Sequence, residues 1–295
     1  MRIVIFLYCI VIFTINKVLL TSACNSAYYP PTKCLDKLDH YECICGQGQL
    51  WNGYTCVADA VDSRLVFNLS HFPSYIELNS KTFPRISELT ISLWIRIKSK
   101  IDSTQHTILF YKTDDTQSVL LVSLIDNARL HVELLDDIYD VPVPLSREQW
   151  HHIAIAHNLS QSENIKILIN GTRVILLTSS RHYRHQTRNQ QRIIDSGGDL
   201  FVGQTIRTTN LTSNSMTGDL EFDNQRTFYG EITLLNIWQK ILPDHDLHLL
   251  ANDCHAQRRL CGDAVTWMDF VNDIKGEVKI HWPSGIFSIF ENCPN

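Results

Sequence analysis

From Leu65 onward the apolar residues come in short runs, rich in β-branched and aromatic side chains, that alternate with polar residues at a period near two. Side chains two apart share one face of a strand, so each run reads as a strand with a buried face. The runs are Leu65 to Leu69, Tyr75 to Leu78, Leu89 to Ile97, Thr107 to Tyr111, Val119 to Leu124, Leu130 to Leu134, His151 to Ala156, Ile165 to Ile169 and Val174 to Leu177. Asn170-Gly171 between the last two signals a tight hairpin, because both turn positions need positive φ. Phe228 to Ile280 is the densest stretch. Ile232, Leu234, Asn236 and Trp238 fall on one side of an extended segment and Thr233, Leu235 and Ile237 on the other. A strand apolar on nearly both faces belongs inside a layered sheet structure. Leu242-Pro243-Asp244 then starts a short helix with Leu247, Leu249 and Leu250 as its apolar face, and Gly262 to Trp267 reads as a further strand. Many short strands with one late short helix make an all-β sandwich.

The amino terminus breaks this pattern. Residues 3 to 15 are apolar behind Arg2, and Thr21-Ser22-Ala23 offers small residues for cleavage, so residues 1–23 read as a secretory signal peptide. No later run approaches the roughly 20 apolar residues of a membrane helix. Asn68, Asn158, Asn170 and Asn210 open glycosylation sequons, which fits export. Of nine cysteines, Cys9 leaves with the signal, and the other eight cluster at the two ends of the chain, as disulfides rather than metal ligands. A 44% hydrophobic content with six tryptophans can bury one large core plus a small appendix. The formal charge of -5 becomes -7 without Arg2 and Lys17, which gives no reason to expect nucleic acid.

Two families are recognisable. Gly230-Glu231-Ile232 through Asn236-Ile237-Trp238, Gly262 through Trp267, and Gly276-Glu277-Val278 resemble the pentraxin domain, the C-reactive protein and neuronal pentraxin family. The resemblance extends upstream through Leu89 to Trp94, Trp150 to Ala154 and the hairpin Ile165 to Arg173. It implies a concanavalin-like, laminin-G-like jelly roll of two antiparallel sheets over residues 58–295. Over residues 24–57, Cys34-Leu35-Asp36 followed by Tyr41-Glu42-Cys43-Ile44-Cys45, with Gly48, Leu50, Gly53 and Cys56, resembles a calcium-binding EGF-like module. So small a segment cannot bury a sufficient core, and crosslinks stabilise it instead.

The resemblances also imply bridges and ligands. Cys45 pairs with Cys56, Cys24 with either Cys34 or Cys43, and one module cysteine is left over. Many pentraxins join two strands by a disulfide where Ser92 and Ala154 stand here; Cys254 with Cys293 is expected to replace it, and Cys261 to take the leftover module cysteine. Calcium is a candidate cofactor at two places. In the module Asp36 stands at a ligand position, without the acidic run that should precede it. In the pentraxin face Gly203-Gln204 survives, but Thr205, Ile206 and Arg207 follow where oxygen donors are expected, and Arg226 replaces an amide. A degenerate site results, with a residual ion confined to Asp223, Glu221 or Asp219.

Catalysis finds little support. Glu221-Phe222-Asp223 is the first half of the E-x-D-x-x-E strand of jelly-roll glycoside hydrolases, and the third carboxylate is Arg226. His151-His152 on a strand point to opposite faces and cannot chelate together; Asp244, His245 and His248 share a short helix without free cysteines to complete a zinc site. The basic run from Arg181 to Arg192 has no acid, and on a helix Arg181, Arg184, Arg188 and Arg192 would face one polyanion. The expected protein is secreted and non-catalytic. It is lectin-like and able to oligomerise, binding an extracellular glycan, anionic ligand or surface protein. A structural matrix component and a polysaccharide-active jelly-roll enzyme are the alternatives.

Overall fold

The computed structural model describes backbone strands at 28–29, 33–37, 40–44, 50–51 and 56–57, and then residues 60–68, 73–78, 83–98, 105–113, 120–126, 128–143, 145–161, 165–174, 178–181, 192–206 and 222–290. The amino-terminal strands are β1 (Tyr28–Tyr29), β2 (Lys33–Lys37), β3 (His40–Ile44), β4 (Leu50–Trp51) and β5 (Cys56–Val57). β2 and β3 pair antiparallel with Cys34 opposite Cys43 and Asp36 opposite Tyr41; β1, β5 and β4 form a second small sheet. There follow β6 (Arg64–Phe67), β7 (Tyr75–Leu78), β8 (Glu88–Ile97), β9 (Gln105–Lys112), β10 (Leu120–Ile125), β11 (Arg129–Leu134), β12 (Asp137–Pro142), β13 (Trp150–Asn158) and β14 (Lys166–Ile169). The remainder are β15 (Thr172–Arg173), β16 (Thr178–Arg181), β17 (Asp199–Val202), β18 (Gly230–Trp238), helices α1 (Asp244–Asn252), α2 (Cys254–Arg259) and α3 (Trp267–Asn272), and short strands β19 (Ile274–Lys275) and β20 (Lys279–His281).

Two antiparallel sheets form the sandwich. One has eight strands in the order β16-β12-β11-β10-β9-β17-β7-β19, the other seven in the order β15-β14-β13-β8-β18-β6-β20. Their inner faces meet in one core: Leu89, Ile91, Leu93, Ile95 and Ile97 of β8 lie in the same cluster as Ile108, Val122, Val132 and Tyr139 of the facing sheet. Full burial of a side chain of this size contributes about 1.5–3 kcal/mol, so the two inner faces dominate cohesion. The intervening β8 residues turn outward. Thr90 donates to Lys240 O at 2.7 Å, and α1 lays Leu247 and Leu250 over Trp238, Ala154 and Ala156. The strand is apolar on both sides because both sides are covered.

In β18 the register against β8 shifts between Thr233 and Asn236, and Leu234 has φ 55. This bulge corrects the alternation expected from the sequence. Two residues oppose one, so Leu234 and Leu235 both join the core with Ile232 and Ile237, while Trp238 turns to α1. The Asn170-Gly171 hairpin forms as expected, with φ 50 and 74 and Ile169 paired to Thr172. β12, β16 and β17 were not anticipated. β12 carries Asp140 and a terminal Pro142 on its more open face and Asp137 on its buried one, where Arg192 pairs with it; all three residues lower strand propensity.

A single late helix also proves too few. Of the expected strand from Gly262 to Trp267, only the bridge of Val265 to Ile237 is found, and α3 follows. Its start is a capping box in which Thr266 N and Oγ1 both donate to Asp269 Oδ2 at 2.8 Å. Cys254 and Cys261 are both disulfide-bonded; Cys24, Cys45 and Cys293 lie outside the described residues.

Candidate ligand-binding faces

The rim where the pentraxin resemblance places calcium is built by the turn after β17 and the segment before β18. Gly203 has φ 85, and a Cβ there would lie 2.3 Å from Phe67 Cε1 inside the core; the position therefore requires glycine. Its amide donates to Ile108 O at 3.0 Å and its carbonyl accepts from Phe228 N at 2.9 Å. Gln204 is fully buried. It spends Nε2 on Thr227 Oγ1 at 2.9 Å and Oε1 on the Thr205 amide at 3.1 Å, so it clamps the turn. Ile206 bridges Phe222, and both join an apolar cluster with Phe110, Leu121, Phe201 and Tyr75; the Tyr75 and Phe222 rings are 4.5 Å apart. Asp223 Oδ1 accepts the Gln225 amide at 3.1 Å and Oδ2 lies 3.4 Å from Arg226 Nε. Asp219 and Glu221 lie outside the described residues. Among the described residues no group of three or more His, Cys, Asp or Glu side chains is arranged to hold a metal.

On the same sheet His131 sits between two carboxylates, with Nδ1 2.8 Å from Asp140 Oδ1 and Nε2 2.9 Å from Glu133 Oε1. The Glu133 hydrogen bond, with Asp140 assisting against desolvation, holds the imidazole above the ordinary histidine range. A histidine raised in the folded state stabilises most below its unfolded pKa, and the gain is lost as pH rises through the folded value. Replacing His131 with alanine should therefore cost about 1 kcal/mol at pH 6 and much less at pH 9; equal loss at both values in urea titrations would contradict the charged triad.

Other predicted residues have structural duties. Arg181 ends strand β16, where it pairs with Asp137, and Arg192 NH1 donates to Asp137 Oδ2 at 2.6 Å. Arg181 is thus extended rather than helical and Arg192 is tied to a buried carboxylate, while Arg184 and Arg188 lie outside the described residues. Ser92 and Ala154 are direct neighbours on β8 and β13, and Ser92 Oγ bonds His152 Nε2 at 2.8 Å. His151 Nε2 meets Ser146 O at 3.0 Å. Asp244 pairs with Lys166, and His248 Nδ1 accepts from Asn252 at 3.3 Å, so this helix offers no metal trio. Asn158 Nδ2 donates to Glu88 at 3.1 Å, and Asn170 holds His152 N and His151 Nδ1. Asn68 Oδ1 accepts from Lys98 at 3.3 Å; Asn210 lies outside the described residues.

Asn236, unassigned from sequence, proves the main clamp of the carboxy-terminal segment. Its Oδ1 accepts from Gly262 N at 3.1 Å and Trp267 N at 3.2 Å, and Nδ2 donates to Leu234 O at 3.1 Å.

Sheet order defines a two-sheet antiparallel sandwich, and comparison agrees. Residues 73–205 match the concanavalin A-like lectin/glucanases superfamily. Mouse "Sushi, von Willebrand factor type A, EGF and pentraxin domain-containing protein 1" is 24% identical over 235 residues, covering 79% of this chain and 6% of that protein. Neuronal pentraxin-2 of Cavia porcellus is 23% identical over 225 residues, covering 76% of this chain and 46% of that protein. The chain thus spans less than half the length of these relatives. The heptameric SAP-like pentraxin of Limulus polyphemus superposes with a TM-score of 0.56 at 16% identity, over 76% of this chain and 95% of that one; this likeness shows the fold. The chain is thus similar to concanavalin A-like domains over residues 73–205, and pentraxins are among the proteins it resembles. Among the described residues no helix is long and apolar enough to cross a membrane.

Proposed function

We propose that this is a secreted, non-catalytic recognition protein, an EGF-like module followed by a pentraxin-like domain, that binds extracellular glycans or surface proteins without calcium at the rim. The observation that carries the calcium-free reading is Asp223: its carboxylate is already engaged by the Gln225 amide and Arg226, beside an apolar plug of Ile206 and Phe222. A hard cation wants six to eight oxygens, and this rim presents a guanidinium instead. The same contact weakens the hydrolase alternative, because Arg226 stands where a third carboxylate is needed and pairs with the second.

A glycan array with and without chelator tests the reading; identical binding patterns are expected. Thermal unfolding should likewise be unmoved by millimolar calcium. Calcium at a hundred times its Kd would add about 2.7 kcal/mol, so a clear rise in Tm would overturn the calcium-free rim.

A further inference from the structure

The outer face of the seven-stranded sheet has two ends. α1 covers one, while the other carries a basic surface that no sequence run reveals. Register sets Lys279 opposite Val66, Val66 opposite Glu231, Glu231 opposite Arg96 and Arg96 opposite Trp150, one row across five strands. In the neighbouring row His281 lies opposite Arg64, and Lys98 comes immediately after the end of β8, two residues beyond Arg96. Arg64 Nε is 3.2 Å and Lys98 Nζ 3.9 Å from the Glu231 carboxylate, and Arg96 donates to the same group. Glu231 is buried, with 7% of its side chain exposed, whereas Arg64, Arg96 and Lys98 keep 21%, 27% and 26%. Lys279 and His281 are exposed. Three permanent cations thus surround one carboxylate sunk beneath them, and Lys279 stands two strands away in the same row.

That carboxylate does not neutralise the cations: Arg64, Arg96 and Lys98 set three positive charges against its one negative charge, and each side chain keeps about a quarter of its surface open. The cations are held in place: Arg96 stacks 5.0 Å over Trp150, Lys98 lies 5.7 Å over Tyr229, and Arg64 donates to Pro283 O. Next in the chain to His281 is Trp282, 48% exposed and the one exposed large aromatic among the described residues. Cations held in place, with an exposed indole on the residue between His281 and the Pro283 whose carbonyl Arg64 holds, fit a sugar carrying an oxyanion, since an aromatic face packs on the ring and guanidinium forks take the charge. A lipid headgroup or acidic peptide would use the cations but not the indole.

We propose that Arg64, Arg96, Lys98 and Lys279 with Trp282 form a calcium-independent site for an anionic saccharide, its sulfate or carboxylate seated above Glu231. This deepens, and rests on, the glycan-recognition reading. His281 supplies an internal reporter. Desolvation first, then Arg64, Lys98 and Lys279, hold it below the ordinary range against the pull of Glu231; a bound oxyanion reverses that balance and raises its titration midpoint.

The test measures binding of a sulfated heparin hexasaccharide to the full chain in chelator at physiological salt. Lys98→Gln/Lys279→Gln should weaken binding about tenfold or more, with unchanged Tm, at about 1.4 kcal/mol per tenfold. Trp282→Ala should weaken the saccharide but not inorganic sulfate. Arg129→Gln, on the other sheet, should change it less than about twofold, because charges beyond a Debye length are screened. Binding should also raise the His281 midpoint in proton NMR. A fully desulfated fragment that binds equally assigns the oxyanion to carboxylates, and one that fails assigns it to sulfates. The site is overturned if Arg129→Gln costs as much as the double variant, if loss instead follows Arg184→Ala/Arg188→Ala, or if only anionic vesicles bind. A parent chain that binds no glycan on the array refutes the recognition reading itself.

Discussion

Replacing Asn236 with alanine is expected to cost about 3 kcal/mol or more. The side chain is buried and satisfies three backbone groups, the amides of Gly262 and Trp267 and the carbonyl of Leu234. Each buried group left without a partner costs about 1–3 kcal/mol. The segment cannot simply swing into water to relieve this, because Val265, Trp267, Phe270 and Val271 are buried behind it. Chemical denaturation should show the loss, and hydrogen exchange should show Gly262 and Trp267 losing protection first. A cost below about 1 kcal/mol, or unchanged protection of those amides, would remove Asn236 as the clamp.

Acid should be nearly as damaging. His152 is fully buried on the outer face of β13 beneath Trp94, its ring 5.1 Å from that indole, with Nε2 bonded to Ser92. Desolvation lowers its pKa to about 3. Because the folded value lies below the unfolded value near 6.5, stability is full above pH 6.5 and falls as the unfolded chain takes up a proton that the folded chain refuses. The slope is about 1.4 kcal/mol per pH unit, so pH 4.5 should remove about 3 kcal/mol, or roughly 8 °C in Tm for a chain of this size. His106, lowered by desolvation against a bond to Thr227 O, acts in the same direction. His152→Gln keeps a partner for Ser92 and no longer titrates, so its stability should decline less steeply between pH 6.5 and 4.5. Parallel curves for the two proteins would show that His152 is not the proton-refusing group.

These two residues illustrate different degrees of legibility. Adjacent histidines on a strand must point to opposite faces, and His151 and His152 do find separate partners, Ser146 O and Ser92 Oγ. That His152 lies under Trp94 follows from the β8 to β13 register, which pairs residues 58 positions apart. Asn236 stood in a strand read with unbroken alternation. The bulge at Leu234 changes which neighbours each residue meets, and only packing against β8 reveals it. The Thr266 to Asp269 box, by contrast, was written locally, and Thr-x-x-Asp before an apolar pair could have announced α3.

The sequence by itself determined the sandwich, because period-two burial and the Asn-Gly turn are local properties of backbone and side chain. It also shows Ile206 and Arg226 as residue types at positions where the pentraxin resemblance expects oxygen donors. Only the tertiary structure decided what surrounds them, an apolar plug of Ile206 and Phe222 with Asp223 engaged by its own turn and Arg226. It alone decided where positive charge gathers. The contiguous arginine run stands out in the sequence, yet Arg181 lies in strand β16 and Arg192 donates to Asp137. The basic face instead draws Arg64, Arg96, Lys98 and Lys279 from strands distant in sequence, since antiparallel register, rather than proximity along the chain, sets which charges share a surface.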